Sequence, residues 1–410
     1  MVRQGVLLGA VLVVLAVAGG CGGDPKNVGT GEQTSAAPTP TETPAKAFDP
    51  PSKFVSDGQT LTDAPRAKNS LAAPPVGAVL VGRLVVYADE TELAAADAVT
   101  GDDGWVITMP GVTYANSTET APPVVFDGQV YAAASITVPG TSRVTDHRAI
   151  ALVAVDPEAG SESWTATIDA LPGDPVQQVR LVGVTANSIV LDTSTTTYVV
   201  DAQTRRTRWT VQYFDPTVVD GTVVAGQLAE DTTQTKTHTV GLRLTDGVQL
   251  WRSETALQQG RSFPLGPGLM GVQGRKFTST DPYFDFLDPI TGTRRYSGSR
   301  DDLAELQNCW FDARTIVVCG ASGTRNVAVG YDARTLQEIW ELPAGDRDAP
   351  RITTAWHGAV YGVLNGKAVT LDGHTGAIRS PAAGAAPSVV NEYAGLSADS
   401  GSLTLFSAVG

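Results

Sequence analysis

An all-β fold, a propeller of four-stranded antiparallel blades, is what the sequence predicts, on three observations. A short phrase recurs at a nearly constant spacing along most of the chain. Short apolar runs with period-two alternation, separated by Gly, Asn and Asp turns, fill the space between copies. Five of the seven tryptophans fall in one slot of the phrase.

The phrase is an apolar strand ending in Asp, then a turn carrying Thr and Gly, then an aromatic residue eight positions after the Asp. Its copies run from Asp97 to Trp105, Asp156 to Trp164, Asp201 to Trp209, Arg243 to Trp251, Asp288 to Tyr296, Asp332 to Trp340, and Asp372 to Ser380. Successive anchors lie 59, 45, 42, 45, 44 and 40 residues apart, and periods near 40–45 in short strands indicate propeller blades. The chemistry of the phrase is structural. An Asp at a strand end accepts hydrogen bonds from backbone N–H groups about two residues on. Gly four positions later admits positive φ, and the aromatic residue on the outer strand covers the seam with the next blade. Arg243 marks a degenerate fourth copy, and Ser380 a weaker seam after the seventh.

Within the seventh copy, Arg351–Trp356 reads as the inner strand, residues 359–363 as the second, Asn365-Gly366 as a hairpin turn and residues 368–371 as the third. After Asp372 the pattern repeats and stops one strand short of a blade, where an open edge is a liability. Residues 53–62 are the candidate for the missing outer strand. Seven complete blades plus one shared between the termini gives eight, with seven in total as the alternative.

The N-terminus carries a different signal. Arg3 precedes an apolar run over residues 5–18, which reads as a signal-peptide core too short to span a membrane comfortably. It ends in Val17-Ala18-Gly19-Gly20-Cys21, similar to the bacterial lipobox, in which the cysteine receives diacylglycerol. The resemblance implies a signal peptide over 1–20, lipidation of Cys21 and an extracytoplasmic protein anchored to the bacterial cell membrane. An ordinary signal peptide cleaved near Gly20 is the alternative. Residues 21–50 are rich in Pro, Thr, Ser, Gly and Ala, a composition expected to form a disordered tether with ends about 30 Å apart. The propeller is expected over 51–410.

Twenty-nine basic against 43 acidic residues give a formal charge of -14, which argues against a nucleic-acid partner. The phrase Leu/Val-x-Ala/Val-x-Asp-x-x-Thr-Gly-x-x-x-Trp resembles the repeat of PQQ-like propellers over about residues 75–410. That family includes quinoprotein alcohol dehydrogenases and BamB-type lipoproteins of outer-membrane assembly. The enzymes of the family imply a vicinal cysteine pair and a calcium site. This chain offers only Cys309 and Cys319 beyond Cys21, so no catalytic, metal or cofactor residue is assigned and bound PQQ is not expected. Cys309 and Cys319 flank a turn that sets them opposite each other, which predicts a disulfide in an oxidising compartment, with two buried free thiols as the alternative.

His147, His238, His357 and His374 lie in four different blades without ligand spacing. Asn116-Ser-Thr118 matches a glycosylation sequon to which the bacterial context gives no meaning. The links between second and third strands are stretched at 135–148, 228–238 and, less so, 274–282. Links of that kind share one propeller face, where repeat proteins carry binding loops, although neutral drift produces the same lengths. The expected function is a non-enzymatic, monomeric binding or scaffold module for an envelope protein or cell-wall component. A degenerate quinoprotein or other propeller enzyme, or a ligand sensor acting through a partner, is the alternative.

Overall fold

The computed structural model describes residues 46–62, 77–89, 92–109, 122–140, 145–176, 178–279, 281–298, 308–321, 326–399 and 402–410. The signal peptide, Cys21, most of the tether and the sequon at Asn116 lie outside them. The folded unit spans Ala45–Gly410, and its fold is an all-β propeller. Among the described residues the strands form six four-stranded antiparallel sheets and one of seven strands. In the seven-stranded sheet, the long strand Gln249–Pro264 pairs first with Lys236–Arg243 and then with Met270–Lys276. The architecture therefore amounts to eight four-stranded units, numbered here in chain order from the one that begins at Ala78–Val81.

The third strands explain themselves. In His147–Asp156 every residue from Ala149 to Val155 is buried, an unbroken apolar run instead of an alternating one. Such a run is required where both faces of a sheet are covered, and here the covers are the neighbouring units. Most hydrophobic clusters straddle two units consecutive in the chain, as where Ile150 and Leu152 meet Leu181 and Ile189, or Phe284 and Phe286 meet Val317 and Tyr331, while Ile136, Ala149 and Ala151 cluster within the second unit. One cluster joins the first unit to the last, Val85 and Ala96 packing with Leu396 and Leu405.

The last unit comprises Val389–Val390, Ala394–Asp399 and Ser402–Ser407, with Gln59–Thr62 as its fourth strand. Gln59 pairs with Leu405 and Thr60 with Thr404, so the strand drawn from 53–62 sits on the edge the sequence left open. Contacts begin earlier than the sequence suggested. The Phe48 N–H donates to the Glu392 carbonyl at 2.8 Å, and the Asp49 carboxylate meets Arg314 and His357. Composition had assigned these positions to the tether, but the aromatic and the charge find partners on the ring.

The Asp–Gly–Trp phrase resolves into one repeated joint. Asp156 Oδ1 accepts from the N–H groups of Glu158 and Ala159 at 3.0 Å, and Asp97, Asp201, Asp288 and Asp372 accept from the equivalent N–H groups. Asp332 accepts from Thr335. In the fourth unit Arg243 is answered by Asp246, which pairs with it at 2.9 Å and accepts from the Val248 N–H.

The tryptophan of one outer strand then docks on the turn of the next unit. Trp105 Nε1 donates to the Pro157 carbonyl at 2.9 Å, Trp209 to Leu244, Trp251 to Pro289 and Trp340 to Gly373. The acceptor is always the residue after the anchor. A Cβ at Gly160 (φ +59°) would stand 2.5 Å from the Trp105 ring, and one at Gly292 would meet Trp251 at the same distance. Glycine is needed there for both backbone and room. Where the turn carries Arg205 instead, its guanidinium lies 4.6 Å from the Trp164 ring. Tyr296 packs in the cluster containing Leu336, the corresponding turn residue of the next unit.

Two seams lack that aromatic residue. Gln59 takes the slot between the last unit and the first, its amide donating to the Gly101 carbonyl at 3.3 Å. Ser380 is buried at the seventh seam, and Phe54 fills the space. Phe54 bridges Ala408, the position after the anchor equivalent Ser407. It is 3% exposed and meets Tyr361 edge-on at 5.7 Å. Cys309 and Cys319 face each other in register and form a disulfide.

Candidate functional site: the hairpin face and its cavity

The turns that carry the Asp anchors and the turns between first and second strands lie at one end of the units. The hairpins between second and third strands lie at the other. On this second face the segments read as loops begin and end as strand. Gln129–Val138 and His147–Asp156 stay paired to Val138↔His147. Val223–Ala229 and Lys236–Arg243 stay paired to Ala229↔Thr237, and Met270–Lys276 pairs with Pro282–Leu287 out to Arg275↔Pro282. Polar, Thr-rich segments read as loop because hairpin arms that project past the core have no apolar face to display.

The fourth and fifth hairpins touch. Lys236 Nζ lies 5.4 Å from the Phe277 ring centroid, and the Phe277 N–H donates to the Ala256 carbonyl at 2.9 Å. Glu230, at the root of the fourth hairpin, pairs with Lys236 (2.8 Å), Arg252 (2.8 Å) and His238 (3.0 Å). The hydrogen bond from Lys236, followed by that from His238, holds its carboxyl below the ordinary range. These contacts make the hairpin a fixed projection.

Charges gather on the first and second strands at the same end. Arg180 Nη2 pairs with Asp192 at 2.9 Å and also with Asp215 of the next unit. Asp192 is 6% exposed. Burial raises its carboxyl to about 6, with Arg180 opposing the shift. Behind them, the Gln227 amide donates to Thr239 (3.0 Å) and accepts from Thr237 (3.2 Å), and the Thr217 and Ser262 hydroxyls bridge the fourth and fifth units at 2.7 Å.

A cavity of about 620 Å³ opens between the sixth, seventh and eighth units. The inner strands Asn308–Phe311 and Arg351–Trp356 and the Asn365-Gly366 hairpin contribute to its wall. The inner strand of the seventh unit carries a bulge, its register to the second strand slipping between Ile352 and Thr354. The extra residue, Thr353, lines the cavity.

The residues singled out in the sequence are distributed otherwise. Asp97, Asp156, Asp201, Asp288, Asp332 and Asp372 and the aromatic residues they pair with are spent on the joints, at the opposite end. His147 meets Asp169 (3.3 Å), His238 meets Glu230, His357 meets Asp49, and the His374 N–H donates to Asp372. Among the described residues no group of three metal-ligating side chains occurs. Asp192, Arg351 and Thr353 carried no sequence signal, since a bulge and an ion pair between strands are properties of the assembled sheet.

No protein-family model matches the chain, and no curated protein does. Among solved structures, the computationally designed Ika8 protein aligns at 15% identity over 87% of this chain and 99% of its own, with a TM-score of 0.52. BamB from Moraxella catarrhalis aligns at 16% identity over 80% of this chain and 93% of its own, TM-score 0.48. The quinohemoprotein alcohol dehydrogenase ADHIIG from Pseudomonas putida HK5 aligns at 12% identity over 89% and 74%, TM-score 0.40. Identities this low speak of fold and not of activity, and of these three the Ika8 match has a TM-score above 0.5.

Proposed function

We propose that this chain is a non-enzymatic binding module held outside the cytoplasm by a lipid on Cys21, with its hairpin face turned to an envelope protein or cell-wall component. In this reading the eight four-stranded units are the blades of a closed ring, sealed by Gln59–Thr62 and Phe54. The observation that carries it is the division of labour between the two ends. The repeat residues are consumed by joints at one end, while the other bears the projecting hairpins, the inner-strand charges and the cavity. The chain also arrives from the joint end, where Asp49 meets Arg314 and His357 beside first-to-second-strand turns. A tether entering there leaves the hairpin face free. The resemblance of the repeat to BamB-type lipoproteins favours a protein partner. An enzyme of the quinoprotein kind is less well supported, because the two cysteines beyond Cys21 pair across strands at a separation of ten residues.

In-cell crosslinking followed by mass spectrometry, comparing the intact protein with a variant shortened at residues 139–146 and 230–235, tests the binding face. A partner captured by the first and lost by the second is expected. Capture unchanged by shortening overturns the assignment of the face. Cys21→Ala is expected to release the protein from the membrane fraction, and continued retention refutes lipidation. A quinone absorbance spectrum with dye reduction by the purified protein overturns the non-enzymatic reading.

A further inference from the structure

We propose that the hairpin ends of the first strands in the fifth to seventh units bind an acidic peptide segment of a partner protein, one carboxylate meeting Arg261 and another Arg351. The inference rests on the hairpin face being the binding face, and adds the chemistry of what docks there.

The repeat supplies its own control. At the level four residues before each anchor, the second strands of the first, second, sixth, seventh and eighth units carry Ala88, Ala133, Gly320, Val363 and Ala398. A small or aliphatic residue there satisfies the fold. The third, fourth and fifth units carry Asp192, Gln227 and Gln273 instead, all of them buried. Burying a polar group is unfavourable unless it is paired, so packing between units does not explain these three.

What they support is a row of charges. Their first-strand partners are Arg180, Asp215 and Arg261, and the same level continues with Asn308 and Arg351 in the sixth and seventh units. The Asp215 side chain is 62% exposed, so the row opens to solvent. Arg180 is answered twice, by Asp192 and by Asp215. The side chains of Arg261 and Arg351 form no ion pair or hydrogen bond among the described residues. Arg351 is exposed, whereas Arg261 is partly buried, and burial disfavours its charge with Asp215 opposing. A partly buried guanidinium left without a counter-ion is unfavourable, in a chain with 43 acidic residues available to supply one. A carboxylate from outside the chain accounts for it.

The arrangement also selects the form of the anion. Arg261 and Arg351 stand on first strands with the sixth unit between them, so negative charges spaced along one chain answer both. Each guanidinium fork takes a carboxylate through two parallel hydrogen bonds. Asp215 near Arg261 penalises every added negative charge, which favours singly charged carboxylates over doubly charged phosphates. The cavity of about 620 Å³ has Asn308 and Arg351 on its wall and runs on past Trp310 to Ser388 and Ser397. It gives the backbone of such a segment both room and neutral hydrogen-bonding groups.

Fluorescence anisotropy of the purified full-length protein with a labelled, end-capped hexaglutamate peptide tests the proposal, with hexaglutamine and tripolyphosphate as competitors. Saturable binding is expected, displaced by unlabelled hexaglutamate, untouched by hexaglutamine and only weakly affected by tripolyphosphate. Arg261→Gln should weaken it about 10-fold and the more exposed Arg351→Gln about 3-fold. Asp215→Asn should tighten it about 3-fold by removing the competing carboxylate, a gain that misfolding does not produce. Arg334→Gln, which removes the same charge from an anchor turn at the opposite end, should leave binding unchanged. Absence of saturation, equal losses in Arg334→Gln and Arg261→Gln, or no tightening in Asp215→Asn each overturns the site. Tripolyphosphate that displaces the peptide more strongly than hexaglutamate overturns the choice of a peptide. The crosslinking comparison is read independently. A partner lost on hairpin shortening without any peptide binding leaves the binding face standing and removes this site alone.

Discussion

Phe54→Ala removes the ring that stands in for an aromatic residue at Ser380. Phe54 is 3% exposed, packs edge-on against Tyr361 at 5.7 Å, and shares a cluster with Ala385 and Val390. Truncating a buried phenylalanine costs about 3–5 kcal/mol when the site cannot collapse. Collapse is opposed here, because the flanking backbone is held on both sides. The Phe54 N–H donates to the Ala383 carbonyl (2.8 Å), and the Tyr361 hydroxyl donates to the Pro51 carbonyl (2.7 Å). For a folded unit spanning Ala45–Gly410, an unfolding entropy of about 2.1 cal/mol/K per residue converts that loss to about 4–6 °C in Tm. Scanning calorimetry with hydrogen exchange reads both the shift and its place. Protection should fall first in Ala359–Leu364 and Ala394–Asp399. Phe54→Trp should be close to neutral, and adding Ser380→Trp to Phe54→Ala should recover part of the loss. A Tm within 1 °C (about 0.8 kcal/mol) of the parent for Phe54→Ala refutes the reasoning, because the seam would then be closed by other contacts.

Three further outcomes follow from the same geometry. Gly160→Ala places a Cβ 2.5 Å from the Trp105 ring at φ +59° and should cost about 2–5 kcal/mol in chemical denaturation, from left-handed strain plus overpacking. Reducing the Cys309–Cys319 disulfide, or replacing both cysteines with serine, should lower stability by about 2.5–3 kcal/mol for a separation of ten residues, measured by urea unfolding with and without reductant. Asp192, raised by burial to about 6 from an ordinary 3.8, binds more protons folded than unfolded between those values, so its contribution falls as pH rises through that window and is flat above it. Compared with Asp192→Asn, the parent should lose about 2 kcal/mol between pH 4 and pH 6.5 in urea unfolding, and parallel curves for the two proteins contradict the assignment.

The joints were legible in the sequence because their chemistry is local. An Asp that bonds to N–H groups two and three residues on, and a tryptophan eight residues on, stay in phase wherever the phrase occurs. The repeated period carried the rest of the architecture, and the missing outer strand pointed to the N-terminal segment. What escaped was whatever depends on partners distant along the chain. Phe54 acquires its role from Tyr361 and Ala408, and no pattern around residue 54 announces it. Thr353 acquires its place on the cavity wall from a register slip that pairs Ile352 with Gly362 and Thr354 with Tyr361, set by how two strands meet. The hairpin arms were read as loops for a related reason, since alternation is visible only where one face of a strand is buried.

The segment that precedes the first unit also determines how the molecule bears load. A pull applied upstream of Phe48 reaches the body first through the Phe48 bond to Glu392, then through Asp49 and its pairs with Arg314 and His357, Pro51 with Tyr361, Ser52 and Lys53 with Gly410, and Phe54 with Ala383. Only beyond these does it reach the pairing of Gln59–Thr62 with Ser402–Ser407. The attachments lie in series, so tension opens them one at a time from the turn side inward. The earliest are a hydrogen bond and exposed ion pairs, and the buried contacts that follow are Pro51 at the Tyr361 hydroxyl and then Phe54. The chain is thus attached in graded steps, and the last of them is the strand that completes the eighth unit's sheet.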